Sequence, residues 1–174
     1  MKKNIGLKKL VFAALCCAVS VVIGWLCKLA LTFAGGALRI TFENLPLFLC
    51  SALLGPLWSA ACGVASDIVS CILAGNAINP VITLGTVCVC AISGVFFRYI
   101  IKRKSFPMIL LSVFVSHVVG SVGVKTYGLS LYGIPAQVLL LRIPLYICIA
   151  AAESYLLWLL LRNKTISSFG GDIK

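Results

Sequence analysis

Long apolar runs, broken by short stretches rich in Gly, Pro and Asn, set the organisation of the chain. Six runs cover roughly Leu10–Leu26, Leu45–Leu54, Leu57–Ala74, Val81–Ile101, Met108–Val124 and Pro135–Leu161. Most approach the ~20 residues that a helix needs to cross ~30 Å of hydrocarbon. The second run is short. It either extends back towards Ile40 or is shielded by its neighbours, and reading it as no span at all would invert half the topology.

The breaks carry turn chemistry. Gly55-Pro56 separates runs two and three, and Gly75 to Pro80 separates runs three and four. Asn79 before Pro80 reads as an N-cap followed by proline at the first helical position. Pro135 is expected to open the sixth helix in the same way. The expected fold is an all-α, six-transmembrane-helix bundle forming one transmembrane domain over 1–174. Residues 1–9 and 162–174 are its tails.

Composition supports lipid as the main solvent. Hydrophobic residues make up 61% and charged residues 11% of 174 residues, at a mean hydropathy of +1.13. A soluble domain carries roughly 25% charged residues. The basic flank of the first run is followed by no clear small-residue cleavage site, so that run reads as a spanning helix rather than a removable leader.

The formal net charge of +11 is not a nucleic-acid signal, because of where the cations stand. Lys2, Lys3, Lys8 and Lys9 precede the first run. Arg98, Lys102, Arg103 and Lys104 share one connection, and Arg162, Lys164 and Lys174 follow the last run. With the N-terminus inside and six spans, these eleven of fifteen Lys/Arg fall on the cytoplasmic side, as the positive-inside rule requires. The expected location is the cell membrane, multi-pass, with both termini cytoplasmic. The nine cysteines lie in or beside apolar runs without a CxxC pair, and read as small apolar residues rather than metal ligands.

Four cations fall on the opposite side: Lys28, Arg39, Lys125 and Arg142. Arg142, some seven residues into the sixth run, lies ~10 Å deep at 1.5 Å per residue. At that depth it needs a partner or a ligand, or must snorkel outward. Asp67 lies at matching depth on the third helix and is the expected partner. Helices two, four and six all begin on this side, where free N–H groups and helix dipoles favour an anion. Glu43, Asn44, Asn79, Thr83, Tyr127 and Tyr132 gather there with the cations. His117, Ser121 and Lys125 repeat every four residues and share a face. Cations, amides, carboxylates and aromatic rings on one side of a membrane bundle make up a solute pocket with anionic selectivity. Each has a plainer role as well: tyrosines anchor helices, caps cap, and a single histidine is commonly a satisfied member of the bundle. Glu153, eleven residues beyond Arg142, is too far to pair with it and either pairs in the bundle or meets a partner. Ala14 and Ala18, four apart, either pack inside the bundle or form a docking face.

The run Leu38-Arg39-Ile40-Thr41-Phe42-Glu43-Asn44-Leu45-Pro46, then Leu54-Gly55-Pro56 and Gly63-Val64-Ala65-Ser66-Asp67, resembles the substrate-binding (S) subunits of energy-coupling factor (ECF) vitamin transporters. Asn79-Pro80-Val81-Ile82-Thr83-Leu84, Gly94, Tyr132-Gly133-Ile134-Pro135-Ala136 and Leu141-Arg142 continue the resemblance, which runs from about Ala13 to Leu161 and is nearest to the folate family. The resemblance implies six helices with both termini inside and a pocket built from outer loops and helix ends. It implies docking of a transmembrane coupling subunit on Ala14-x-x-x-Ala18, with two ATPase subunits supplying energy. The chain itself is then no enzyme and holds no cofactor or metal. Folate suits the charges: two carboxylates for Arg or Lys, and a ring for Glu43, Asn44 or Asp67 to read. Riboflavin, pantothenate, thiamin or a queuosine precursor are the other ligands of this class. An intramembrane enzyme would need paired catalytic groups, yet there is one His and no HExxH or GxSxG motif. A stand-alone carrier would show paired repeats with broken helices.

Overall fold

The structure, a computed structural model, describes residues 2–30, 32–33, 38–75, 77–101, 105–131, 133–164 and 166. Helix α1 (Lys2–Ala30) leads to a two-residue antiparallel pair, β1 (Thr32–Phe33) with β2 (Leu38–Arg39). Then follow α2 (Asn44–Leu54), α3 (Pro56–Leu73) and α4 (Pro80–Val95), the last continued by a π-helical turn, Phe96–Ile100. Helix α5 (Phe106–Ser116) runs through a π-helical stretch, His117–Val124, into α6 (Lys125–Ser130). Helices α7 (Ala136–Leu140) and α8 (Arg142–Arg162) complete the bundle.

Among the described residues, five helices are long and apolar enough to cross a membrane: Ile5–Ala30, Pro56–Leu73, Pro80–Ile100, Phe106–Ser130 and Gln137–Arg162. The sixth, α2, has 11 residues and so a length of about 16 Å. It does not extend back to Ile40. Its brevity is tolerated because lipid hardly touches it: eight of its residues are buried. It is shared by both core clusters. Leu47, Cys50 and Leu54 pack with Ala13, Cys16, Cys62 and Cys90 on one side. Phe48 and Leu53 pack with Val89, Val113, Ala150 and Leu157 on the other. The outward faces are apolar instead of polar, with Leu57 84%, Leu29 69% and Ile72 65% exposed, a surface that only a lipid solvent accommodates.

Hydroxyls and small residues fasten the interior. Ser51 Oγ and Ser59 Oγ both donate to the Cys90 carbonyl, at 3.2 and 3.1 Å, and Ser93 Oγ donates to Ser51 Oγ at 2.9 Å. One carbonyl of α4 thereby ties in α2 and α3. Gly55, at φ +91°, turns the chain between α2 and α3 in a single residue, and Pro56 follows at the start of α3. Gly85 and Gly120 let α4 and the His117–Val124 stretch touch backbone to backbone. A Cβ on Gly120 would stand 2.6 Å from the Gly85 carbonyl oxygen and 2.9 Å from the Val89 nitrogen.

Several boundaries differ from those read in the sequence. The fifth run continues past Val124 to Ser130. The sixth is interrupted at Leu141, so that Arg142 opens α8 instead of sitting seven residues inside one helix. Pro135 occupies the N-cap of α7, one place before the position expected. The basic flank before Leu10 is itself helical.

Backbone atoms cannot retreat as a flexible side chain can, so Gly120→Ala is expected to destabilise the bundle by about 1–3 kcal/mol. Gly6→Ala, which meets nothing within 4 Å, is the matched neutral control. Unfolding of the two variants in detergent measures the difference; equal stability would show that α4 and the π-helical stretch are not held so close.

Candidate functional site: a polar cavity at one end of the bundle

The alternation of helix directions brings three helix ends and three helix beginnings to one end of the bundle. There they enclose a cavity of about 470 Å³, within the ~300–1,000 Å³ of small-molecule sites. Helix α1 contributes Ser20 and Lys28, and α3 contributes Ser66, Asp67 and Ser70. Lys125 begins α6. From the opposite-running helices come Glu43, Asn44 and Leu47 at the start of α2, Asn79 and Thr86 at the start of α4, and Arg142 and Tyr146 at the start of α8.

Each wall has a local cause. Ser20 Oγ donates to the Glu43 carbonyl at 2.6 Å, and the Glu43 amide donates to Thr41 Oγ1 at 3.1 Å, which seats the entry to α2 against α1. Gly24 makes room for this, because a Cβ there would stand 2.7 Å from Glu43 Oε2. Asn44 is 1% exposed. Its Oδ1 is buried with no hydrogen-bond partner among the described residues, and the residue is part of the cavity lining. Lys28 Nζ donates to the Ser70 carbonyl at 3.3 Å. Asn79 caps α4 as expected: its Oδ1 accepts from the Val81 amide at 2.8 Å, and Pro80 is the first helical residue.

Asp67 accepts hydrogen bonds from Thr83 Oγ1 at 2.6 Å and Thr86 Oγ1 at 3.4 Å. Arg142 donates from Nη2 to the Ser121 carbonyl at 3.4 Å and to the Tyr146 hydroxyl at 3.3 Å, with its guanidinium 5.1 Å from the Tyr146 ring centroid. A direct Asp67–Arg142 pair is not among these contacts. Both residues line one cavity, but they address different walls of it.

Lys125 is 8% exposed and Arg142 6% exposed. The Lys125 stem crosses α4 where Gly85 leaves space, since a Cβ on Gly85 would lie 2.5 Å from Lys125 Cγ. The cavity is therefore divided. Lys125 and Arg142 supply positive charge on the α6–α8 side, whereas Glu43 and Asp67 supply carboxylates on the α2–α3 side, with Lys28 at the end of α1.

Of the residues expected in the site, Glu43, Asn44, Asp67, Asn79, Lys125 and Arg142 line it. Thr83 stands behind Asp67 as its anchor. His117, Ser121 and Lys125 do share an inward face, but His117 is 1% exposed and lies beneath the cavity, bonded to Glu153 and Ser121. Tyr127 points away, 64% exposed: it shares helix α6 with the buried Lys125, and positions two apart lie on opposite faces at 3.6 residues per turn. Tyr132 lies outside the described residues. Arg39 lies in β2, opposite Thr32, with its side chain outside the described part. Tyr146, Ser20, Ser66, Ser70 and Thr86 complete the lining without having been singled out in the sequence. Tyr146 is one turn from Arg142, a spacing that marks it; the others are hydroxyl residues of the kind that bond within any helix.

A second concavity is apolar and lies between α1 and α3. Ala14 and Ala18 form one side, both exposed, and Ala61 and Ala65, also exposed and four apart, form the other, with Trp58 and Val69 at its edges.

Losing the 2.6 Å bond to Asp67 in Thr83→Val is expected to destabilise the protein by about 1.5–3 kcal/mol, the scale of hydrogen bonds to charged groups. Melting in detergent reads this directly, and a stability equal to wild type would remove Thr83 as the anchor of the carboxylate.

No curated protein matches the chain at a significant level. The family model described as ECF transporter, substrate-specific component, matches residues 8–167. That span takes in both concavities and all of the helices except the first six residues of α1, and the chain belongs to the family of substrate-specific components of ECF transporters.

Proposed function

We propose that this chain captures folate at the extracellular face and hands it to an ECF module for ATP-driven uptake. Membership of the family makes it a multi-pass membrane protein and the substrate-binding subunit of such a transporter, working with a transmembrane coupling subunit and ATPases. The identity of the vitamin and the side on which the cavity opens are our reading.

One observation carries it: Lys125 and Arg142, both nearly buried, border the same cavity. Two cations on one wall draw an acid to that side, and charge-assisted hydrogen bonds to a carboxylate are the strong ones. The two carboxylates of folate suit that side. At the other side, the Glu43 and Asp67 carboxylates suit N–H donors of a pterin ring. Tyr146 offers a ring face for stacking. The side assignment follows the cations: Lys8, Lys9, Arg98 and Arg162 stand at the end of the bundle away from the cavity, which the positive-inside rule assigns to the cytoplasm.

The groove between α1 and α3 is our site for the coupling subunit. Facing pairs of alanines four apart let another helix approach closely, which is how helices associate where apolar burial gives no net drive.

The purified chain in detergent, without nucleotide, is expected to bind folate in preference to riboflavin, thiamin, biotin and pantothenate. Arg142→Ala is expected to raise the Kd for folate by tenfold or more, about 1.4 kcal/mol or above. Tighter binding of another vitamin in the panel would replace folate as the ligand, and an unchanged Kd would take Arg142 out of the contact.

Ala14→Leu and Ala18→Leu are expected to weaken co-purification with the coupling subunit and ATPases while leaving folate affinity within about twofold of wild type, since a filled groove blocks helix approach without touching the cavity. Undiminished assembly in both variants would move the dock elsewhere.

A further inference from the structure

Beneath the cavity lies a polar set that its lining does not use. His117 Nε2 and Glu153 Oε2 are 2.6 Å apart, and both residues are buried, at 1% and 0% exposure. His117 Nδ1 lies 3.0 Å from Ser121 Oγ. The imidazole meets the edge of Phe48 of α2 at a centroid distance of 5.4 Å, and the Tyr146 ring of α8 at 5.5 Å. Two polar contacts thus join the His117–Val124 stretch to α8, one at each end of a short ladder. The lower is His117–Glu153. The upper is the bond from Arg142 to the Ser121 carbonyl.

The stretch that this ladder grips is π-helical over eight residues. Such geometry is rare and mostly confined to single turns, so it needs tertiary support. Its register decides where the next residue points. A slip of one residue towards ordinary α-helix would rotate Lys125 by about 100° about the axis, from 3.6 residues per turn. Lys125 would then leave the gap over Gly85 and exchange places with a neighbour facing lipid. Arg142, bonded to Ser121 in the same stretch, would lose that seat as well.

We propose that His117 and Glu153 are a positioning pair: by pinning the π-helical stretch to α8 they set where Lys125 and Arg142 stand, and so fix the acid-binding side of the cavity without touching the ligand. The proposal rests on the reading that this side takes carboxylates. It also accounts for a buried polar pair that stability alone does not require, because well-packed apolar residues of similar volume commonly replace such pairs with no loss of stability.

Three variants and two readouts test it. Glu153→Gln keeps the shape and a hydrogen-bonding atom opposite His117. The double variant His117→Phe/Glu153→Leu replaces the pair by apolar bulk. Ser121→Ala removes one hydroxyl and is the milder probe should the double variant fail to insert. The first readout is backbone hydrogen exchange, which needs no ligand. The double variant is expected to speed exchange across His117–Val124 by tenfold or more with Pro80–Val95 unchanged, Ser121→Ala to do so by about threefold, and Glu153→Gln to stay near wild type. The second is the ratio of affinities for folate and folate dimethyl ester. The double variant is expected to lower that ratio by about tenfold, and Glu153→Gln to restore it. Exchange that stays unchanged, or rises evenly through the bundle, or affinities for the two probes that fall by equal factors, would overturn the proposal and leave the pair a packing element. Wild-type protein that binds neither probe would refute the folate reading, and the exchange data alone would then decide the positioning role.

Discussion

Hydrocarbon offers no hydrogen bonds, and every polar atom placed among the helices must therefore find its partner inside the protein. That constraint organises the molecule. Serine hydroxyls turn back onto carbonyls of their own or neighbouring helices, as in the convergence of Ser51 and Ser59 on the Cys90 carbonyl. Most charged groups collect in one end of the bundle, where the cavity receives them, or stand on the basic flanks, while Glu153 is held beneath the cavity by His117. The exterior is left to leucine, isoleucine and valine. The division between a greasy outside and a polar inside is the reverse of a soluble domain, and it follows from the solvent alone.

Much of this was legible from the sequence because the signals are local. The Gly55-Pro56 break, the Asn79-Pro80 cap and the length of the apolar runs each depend on a few neighbouring residues, and the structure places a turn or a helix start at each. The parity of six helices followed from counting, and it correctly brought Glu43, Asn79, Lys125 and Arg142 to one end.

What escaped the sequence was angle. Asp67 and Arg142 line one cavity but face different walls. Tyr127 seemed as good a lining residue as any, yet it lies in the same short helix as Lys125, two places on, and so faces outward where Lys125 faces inward. Nothing in His117–Val124 announces an i to i+5 ladder, because the register is held by contacts with α8 and α4 that are distant in sequence. The His117–Glu153 bond was hidden for the same reason: 36 residues separate the partners, and only the packed bundle brings them to 2.6 Å. The alanines at 61 and 65 gain their meaning only once α3 is seen beside α1.

The shortness of α2 has a geometric result of its own. At about 16 Å the helix is roughly half as long as the ~30 Å of hydrocarbon, whereas α1, α3 and α8 have 29, 18 and 21 residues. The start of α2 is therefore recessed among longer helices, and Asn44, at that start, is 1% exposed and lines the cavity. A solute that reaches Asn44 lies between helices and not on the outer surface of the bundle.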